Sequence, residues 1–374
     1  MATRTEPSPI VVAVLYQALE PPVINGVRKP MKPGGYQDSG ADIAFALQKQ
    51  EGIKVLTPHP SPSPASHTGW CFPDTEQGIL DALRGGATHL WANTILFSSH
   101  PLQISQAVGS YQDQVRVVGQ PPTLVEECDD KEFVNDLLRA KGTFTMPRSW
   151  NFESKNGGWR ERLGGLPYPV VGKPIRGRGS HGVKKCDSSA ELEEHVESLF
   201  AESQSVMVEE YLSGEEATVT VMPPSSSPPS SGGGYWALPI VTRFNHISGI
   251  APYNGAVAVT ENSRAVTREE YERDPRYGEV ARECEAVARE LGTMAPIRVD
   301  VRRFGGEGGE RFALFDANMK PNMTGPGRPG REGEASLSLL GAGGLEWGYG
   351  RLLVEMLGSS LSLRALREVS GVGK

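Results

Sequence analysis

Cysteine is scarce in this chain: Cys71, Cys128, Cys186 and Cys284 are four in 374 residues, widely spaced and without a CxxC pair. That excludes a disulfide framework and a zinc knuckle and leaves the thiols to act as small buried apolar groups. Histidine is nearly as sparse at seven, and His59, His89, His100, His195 and His246 fall at no metal-ligand spacing, so each is expected to be structural. Long apolar runs are missing too. None can span a bilayer, and the run within MATRTEPSPIVVAVLY is too short for a secretory signal, so a cytoplasmic protein with no membrane partner is expected. Positive charge is not in excess: the net charge is -7 and no basic block interleaves with aromatics, which argues against a nucleic-acid partner.

What is present is length enough for two or three domains, and an alternating pattern. Residues 10–16 form a β-branched run suited to a buried parallel strand, followed by a long loop ending at Gly34-Gly35 and a helix over 39–50. A strand at 54–57, a helix over 74–85 and strands at 89–97 and 115–118 complete a parallel, Rossmann-like sheet that should end near Pro121 and Pro122. Asp129 and Asp130 can cap a linker helix with the stripe Phe133, Val134, Leu137 and Leu138, stopped by Gly142. A strand at 169–173, a glycine loop, a strand at 182–186, a helix opened by Ser188 and Glu191, and a strand at 206–212 then make a small α+β lid. The run PPSSSPPSSGGG, within 222–234, cannot bury a core and reads as a flexible insertion. Thr267 and Glu270 form a second capping box. Asp274 caps a longer helix with Pro275 at its first position and the stripe Val280, Cys284, Val287, Ala288 and Leu291, ended by Gly292. Residues 345–357 read as a last packing helix.

That long helix delivers the chain to PIRVDVRRFGGEGGERFALFDANMKPNMT, two strands joined by a glycine-rich turn. Alternation sets Ile297, Val299 and Val301 on one face and Arg298, Asp300 and Arg302 on the other. Asp316 and Asn318 share a side of the second strand, Phe315 and Ala317 point away, and Asp300 falls across from or diagonal to Asp316. Oxygen ligands alone suit Mg²⁺ or Mn²⁺. The plainer alternative is a solvated hairpin whose acids pair with Arg298 and Arg302.

Two further stretches carry chemistry. VVGKPIRGRGSHGVKK matches a dinucleotide fingerprint as a string, but its glycines lead into the strand-like Val183, Lys184 and Lys185 rather than a helix. It reads either as a mobile hairpin whose backbone wraps phosphate oxygens, with Lys173 as a fixed cation, or as a plain glycine hairpin. VMVEEYLSGEEATVTVM places Glu209, Glu210, Glu215 and Glu216 at strand ends, where they can accept from an adenine amino group and ribose hydroxyls or simply form an acidic turn.

In this order the motifs resemble the ATP-grasp superfamily, and most closely its D-alanine:D-alanine ligase-like branch. The resemblance covers about residues 120–324: Asp130-Lys131, KPIRGRGSHGV, VMVEEYLSGEEATV, IRVDV and FDANMKPNMT. It implies an ATP-grasp fold of mixed α/β and α+β class, with an N-terminal Rossmann-like (pre-ATP-grasp) domain over 1–122, a linker helix and lid over 123–214, and a C-terminal catalytic subdomain over 215–374. It implies that Lys131 and Lys173 contact ATP phosphates under Ser180, that Glu209, Tyr211 and Leu212 hold adenine and Glu216 the ribose, and that Arg243 adds a phosphate contact. Asp300, Asp316 and Asn318 would bind two Mg²⁺ (or Mn²⁺) ions, and Arg298 would stabilise charge in the acyl-transfer step. The implied activity is ATP-dependent, ADP-forming ligation of a small carboxylate to an amine through an acyl phosphate, in the making of small secondary metabolites; a homodimer is compatible with it. Transfer of phosphate to a non-amine acceptor, carboxylation, and a catalytically silent ATP-binding regulator are the alternatives. Three departures from the branch stand out. Asp316 replaces the usual Glu, Asn322 replaces Gly, and the GGxSxE loop after the first strand is replaced by LYQALEPPVINGVRKPMKPGG, so D-alanine is not supported as substrate.

Overall fold

The computed structural model describes residues 9–177, 179–224, 234–252, 258–305 and 311–372. Most of the low-complexity insertion, Arg178 of the glycine loop and the tip of the acidic hairpin lie outside them.

The N-terminal sheet is parallel in its core, as the alternating pattern predicts. Strand β1 (Ile10–Tyr16) pairs with β2 (Ile53–Leu56) on one side and β3 (His89–Asn93) on the other, and β3 pairs with β4 (Arg116–Val118). Helices α1 (Gln37–Leu47) and α2 (Glu76–Arg84) cover it, the latter capped by Thr75, whose side chain accepts from the Gly78 backbone N–H. β3 is shorter than expected, ending at Asn93. Asn93 and Thr94 are buried and use their side chains as bracing, on Tyr36 and Asp74 respectively, so the polar pair ends the strand. A strand at Leu361–Ser362, unsuspected in a tail read as part of the C-terminal subdomain, returns to this sheet antiparallel to β4.

Linker helix α3 (Lys131–Lys141) begins where Asp130 accepts from the Phe133 backbone and stops at Gly142 with φ 67°, a left-handed cap that costs glycine nothing. The lid sheet has four strands rather than three. Strands β5 (Ser149–Glu153), β6 (Val170–Pro174), β7 (Lys184–Cys186) and β8 (Ser205–Glu210) run in the order β7-β6-β8-β5, backed by α4 (Ser189–Phe200). β5 escaped notice because SWNFE has no clear alternation; only Phe152 is fully buried. The capping box at Ser188 is half formed, since Ser188 accepts from the Glu191 N–H while the Glu191 carboxylate takes the Asp187 N–H instead. The box at Thr267 and Glu270 is complete.

The catalytic sheet is antiparallel and ordered β11-β10-β9-β12-β13, with β9 (Glu216–Met222), β10 (Val241–Arg243), β11 (Ser263–Ala265), β12 (Ile297–Arg303) and β13 (Phe312–Asn318). Helix α5 (Pro275–Leu291) lays Val280, Cys284, Val287 and Leu291 on it, each at most 2% exposed. Side chains of that kind stabilise by about 1.5–3 kcal/mol apiece on burial, so this stripe fixes the sheet that carries the acids. All four cysteines are free and buried, as their spacing suggested. Helix α6 (Tyr349–Gly358), close to the predicted 345–357, packs on α1 and links the catalytic half to the N-terminal domain. Among the described residues no helix is long and apolar enough to cross a membrane.

Candidate active site

The alternation in β12 holds, but its charged face is not solvated. Arg298, Asp300 and Arg302 are 6%, 4% and 8% exposed, beneath the lid, while Ile297, Val299 and Val301 fill the core behind them. Charge is buried only where it is paired, so the interactions of this face define the site. It floors a cleft of about 720 Å³ between lid, catalytic sheet and N-terminal domain. Every predicted site residue except Arg243 lines that cleft.

Three cation–carboxylate pairs organise it. Lys131, at the first position of α3, reaches Asp316 at 2.5 Å. Burial opposes the ammonium, but the Asp316 carboxylate outweighs it and holds Lys131 above the usual lysine value. Asp316 in turn is held below the usual carboxylate range, burial being overcome by Lys131 and Lys173. Lys173 on β6 meets Glu209 on β8 at 2.6 Å, both about 5% exposed, and Asn135 of α3 donates to the other Glu209 oxygen at 2.9 Å. Arg298 grips Asp300 with Nε and Nη2, each at 3.0 Å, and the Thr218 hydroxyl donates to the same carboxylate at 2.6 Å. The alternative in which the acids pair with arginine is thus seen for Arg298, though in a buried setting.

Asp300 and Asp316 are direct partners across β12 and β13, as the spacing implied. Beyond them the register slips. Val301 pairs with Leu314, so Phe315 is the extra residue of a β-bulge. This corrects the expectation that Phe315 points away from the site: a bulge re-aims its residue, and Phe315 lines the cleft while its carbonyl accepts from Lys173 Nζ at 3.0 Å. Asn318 shares the cleft face; its side-chain oxygen caps the Lys320 backbone N–H at 3.0 Å. Two carboxylates and an amide oxygen facing one cleft match the donor set of a hard divalent cation. Among the described residues no group of three or more His, Cys, Asp or Glu forms a ready-made cage, so a metal here would need ligands from its substrate as well.

At the far end, Tyr211 and Leu212 follow β8 out of the lid. The Tyr211 ring has the Lys185 ammonium and the Arg302 guanidinium about it, at 5.1 Å and 5.0 Å from its centroid, and Arg302 also donates to its hydroxyl at 3.1 Å. Arg302 therefore binds Tyr211 rather than the acids of its own hairpin. Glu216, at the start of β9, is surrounded by nitrogen donors: His246 Nε2 at 2.9 Å, Arg302 at 3.5 Å and Arg243 at 3.7 Å. Arg243 is the residue that the structure does not bring to the cleft wall. Paired across from Glu216 in the sheet and donating to the Pro252 carbonyl, it stands behind Glu216, one residue removed from the cleft wall. His246, read as structural, does touch the site; nothing in its spacing marked it. Ser180 lines the cleft from the glycine loop with φ 58°, between Gly179 and Gly182, also at positive φ.

The N-terminal side of the cleft was not read from sequence at all. Asp42 of α1, fully buried, accepts from Arg328 and Arg331 Nε at 2.8 Å each, and the same two arginines reach Asp38 one turn earlier at 2.6 Å. Burial raises the Asp42 carboxyl above its usual value even against the two guanidinium groups. The chain between β1 and α1 leaves and returns at one point: Asp74 accepts from the Ala18 and Leu19 N–H groups, and the Gln17 N–H donates to the Gly35 carbonyl at 2.8 Å.

Comparison with known proteins agrees with this geometry. Residues 143–230 match the family model described as the D-Ala D-Ala ligase C-terminus. The D-alanine–D-alanine ligase of Clostridium beijerinckii is 29% identical over 119 residues, 30% of this chain and 39% of that protein. That of Aquifex aeolicus is 32% identical over 97 residues, 25% of this chain and 31% of that protein. The matched segments thus span less than two fifths of the length of these curated relatives. By structure the likeness is nearly complete in extent. The D-alanine–D-alanine ligase of Bacillus anthracis complexed with ATP superposes at TM-score 0.60 and 17% identity, over 96% of this chain and 99% of that one. The VanG D-Ala:D-Ser ligase of Enterococcus faecalis does so at 0.61 and 14%, over 94% and 99%. The chain has the fold of these ligases and is similar to the D-alanine:D-alanine ligase-like branch of the ATP-grasp superfamily, the resemblance its motifs carried.

Proposed function

We propose that the protein is an ATP-dependent, ADP-forming carboxylate–amine ligase that acts through an acyl phosphate. The observation that carries the reading is the convergence, in one cleft, of Lys131–Asp316, Lys173–Glu209 and Arg298–Asp300 from linker, lid and catalytic sheet. ATP binding by a structural relative of the same fold supports the nucleotide assignment.

ATP lies along the cleft with its base against Tyr211 and Leu212, its ribose near Glu216 and its phosphates between Lys131, Lys173 and the Ser180 loop. Asp300, Asp316 and Asn318 would hold Mg²⁺, which neutralises the triphosphate and keeps the γ-phosphate in line. Nucleotide binding would release Lys131 from Asp316, Lys131 exchanging the carboxylate for a phosphate and Asp316 exchanging the ammonium for the metal ion, so the pair holds both residues ready without leaving either charge buried alone. The substrate carboxylate attacks the γ-phosphorus and ADP leaves. The amine then attacks the acyl carbon and phosphate departs with the former carboxylate oxygen. Arg298, fixed by two bonds to Asp300, donates to the negative oxygen that develops on the acyl carbon. Lid closure through Lys173 and Phe315 keeps water from the acyl phosphate. Residues 1–122, 123–214 and 215–374 act as substrate domain, lid and catalytic subdomain, and small-molecule biosynthesis is the setting proposed for the product.

The test is ADP release by the purified protein with Mg²⁺ and ATP against pools of amino acids and small carboxylates, singly and in pairs, with mass spectrometry of the products. Release that depends on a pair and yields the mass-matched amide is expected. ATP binding with no stimulated release from any pool would favour the regulator alternative.

A further inference from the structure

One carboxylate outside the three pairs of the site joins three separate segments. The chain between β1 and α1 is rooted at its neck, where the Gln17 N–H donates to the Gly35 carbonyl and Asp74 accepts from the Ala18 and Leu19 N–H groups. Beyond the neck an arm pairs Val23–Ile24 with Val27–Arg28 as a short antiparallel hairpin. Its turn packs on the lid: a Cβ on Gly26 would lie 3.3 Å from Nε2 of Gln204, the residue before β8. Just past the hairpin, Lys29 Nζ lies 2.5 Å from Oδ1 of Asp129. Asp129 ends the short helix Pro122–Cys128 and stands two residues ahead of Lys131. Its other oxygen, Oδ2, faces Arg176 Nη1 at 3.5 Å. Arg176 opens the glycine loop after β6. It also reaches Asp130 Oδ2 at 3.2 Å and donates to the Glu126 carbonyl at 3.1 Å, while the Lys131 N–H donates to the Ile175 carbonyl at 3.3 Å.

The Lys29, Asp129 and Arg176 side chains are only 10%, 14% and 21% exposed, so the junction is shielded although Lys29 and Asp129 line the cleft together with Gly177, Gly179 and Ser180. An ion pair strengthens as water is excluded from it and fades when it is laid open. The arm, seated through Lys29, covers Asp129 and so tightens its hold on Arg176; Arg176, once seated, does the same for Lys29. Lifting either one opens the other's bond to solvent. We infer that Asp129 is a positioning residue that makes the arm of the N-terminal domain and the glycine loop of the lid close as a unit. The arm lies within LYQALEPPVINGVRKPMKPGG, so the segment that replaces the branch's substrate loop is tied to the loop placed over the phosphates. The inference rests on the ligase reading only for the nucleotide beneath that loop; the link itself belongs to the free protein.

Hydrogen exchange of the full-length protein, read by mass spectrometry, tests both ends of the link. Without ligand, Arg176→Met should speed exchange over residues 23–29 by about 10-fold, although Arg176 bonds to none of them, and Lys29→Met should do the same over residues 174–182; each is the worth of about one charge-assisted hydrogen bond. Asp129→Asn should loosen both segments. Strands β1 and β3 should keep their wild-type rates in all three variants. An arm unaffected by Arg176→Met, or a loop unaffected by Lys29→Met, would overturn the inference, since the two pairs would then be independent braces. Saturating Mg²⁺ with a non-hydrolysable ATP analogue, its binding followed by calorimetry, should slow exchange over residues 23–29 in the wild type and not in Asp129→Asn. Analogue binding without that protection in the wild type, or with equal protection in Asp129→Asn, would also overturn it. Absence of analogue binding would remove the nucleotide reading instead, and the ligand-free rates would still decide the link.

Discussion

The two ends of the cleft are built on opposite plans. At the nucleotide end, the lysines, arginines and carboxylates come from regular elements and meet through strand register or helix position: Asp300 opposite Asp316, Glu216 opposite Arg243, Lys131 at the first turn of α3. At the substrate end, Asp38 and Asp42 on α1 are gripped by arginines nearly 290 residues away on an irregular segment, and Tyr36 is posed by a glycine turn. A site laid out on strands keeps its spacing when loops change, while one laid out on loops takes its specificity from them.

That contrast can be broken at either end. Asp300→Asn has the largest expected effect. It removes the anion that holds Arg298 and a hard ligand at the same time, so ADP release should be abolished, Mg²⁺-dependent ATP binding weakened and stability lowered by about 3–5 kcal/mol. Unchanged kinetics in a folded variant would remove the metal assignment. Asp42→Asn attacks the other end and should cost about 3 kcal/mol in a denaturant titration by leaving two guanidinium groups short of an anion. ATP affinity should stay within about two-fold; a larger loss would mean the ends are not independent. Lys173→Met strands Glu209 with Asn135 alone. Nucleotide binding should weaken about 30–100-fold, or 2–3 kcal/mol, and an unaltered ATP dissociation constant would show the phosphate role misassigned.

The smallest effect expected is a pH dependence of the lid. Burial keeps the His195 imidazole below its ordinary value of 6.5, outweighing the Gly172 and Gly182 carbonyls that favour its charged form, so the folded lid stays neutral where the unfolded chain takes a proton. The unfolded state binds more protons below that value, so the contribution is intact above about pH 6.5 and lost as pH falls beneath it. Hydrogen exchange in β6 and α4 should quicken between pH 7 and 5.5. Rates unchanged once corrected for intrinsic exchange would refute the assignment.

The same contrast explains what could be read from the residues. Alternation in IRVDV and FDANM located the acids on one face, and Asp130, Gly142, Asp274 and Gly292 marked helix ends because capping is local chemistry. The pairing of Lys173 with Glu209 was not legible, because it depends on the lid register. Nor was the bulge at Phe315, since one extra residue leaves no mark in a two-residue period. Nor was the pairing of Arg243 with Glu216, which lies on another strand. The clamp of Asp38 and Asp42 by Arg328 and Arg331 joins segments whose spacing carries no period at all. It became visible only when α1 and the segment after β13 were brought together.

The central claim is that a substrate carboxylate takes the γ-phosphate before an amine displaces it. Oxygen-18 in that carboxylate follows the step directly, once the paired-substrate screen has supplied the acid. The expected result is one labelled oxygen in each released phosphate and one in the amide, with ADP as the nucleotide product. Release of AMP, or ADP with phosphate free of label, would contradict it.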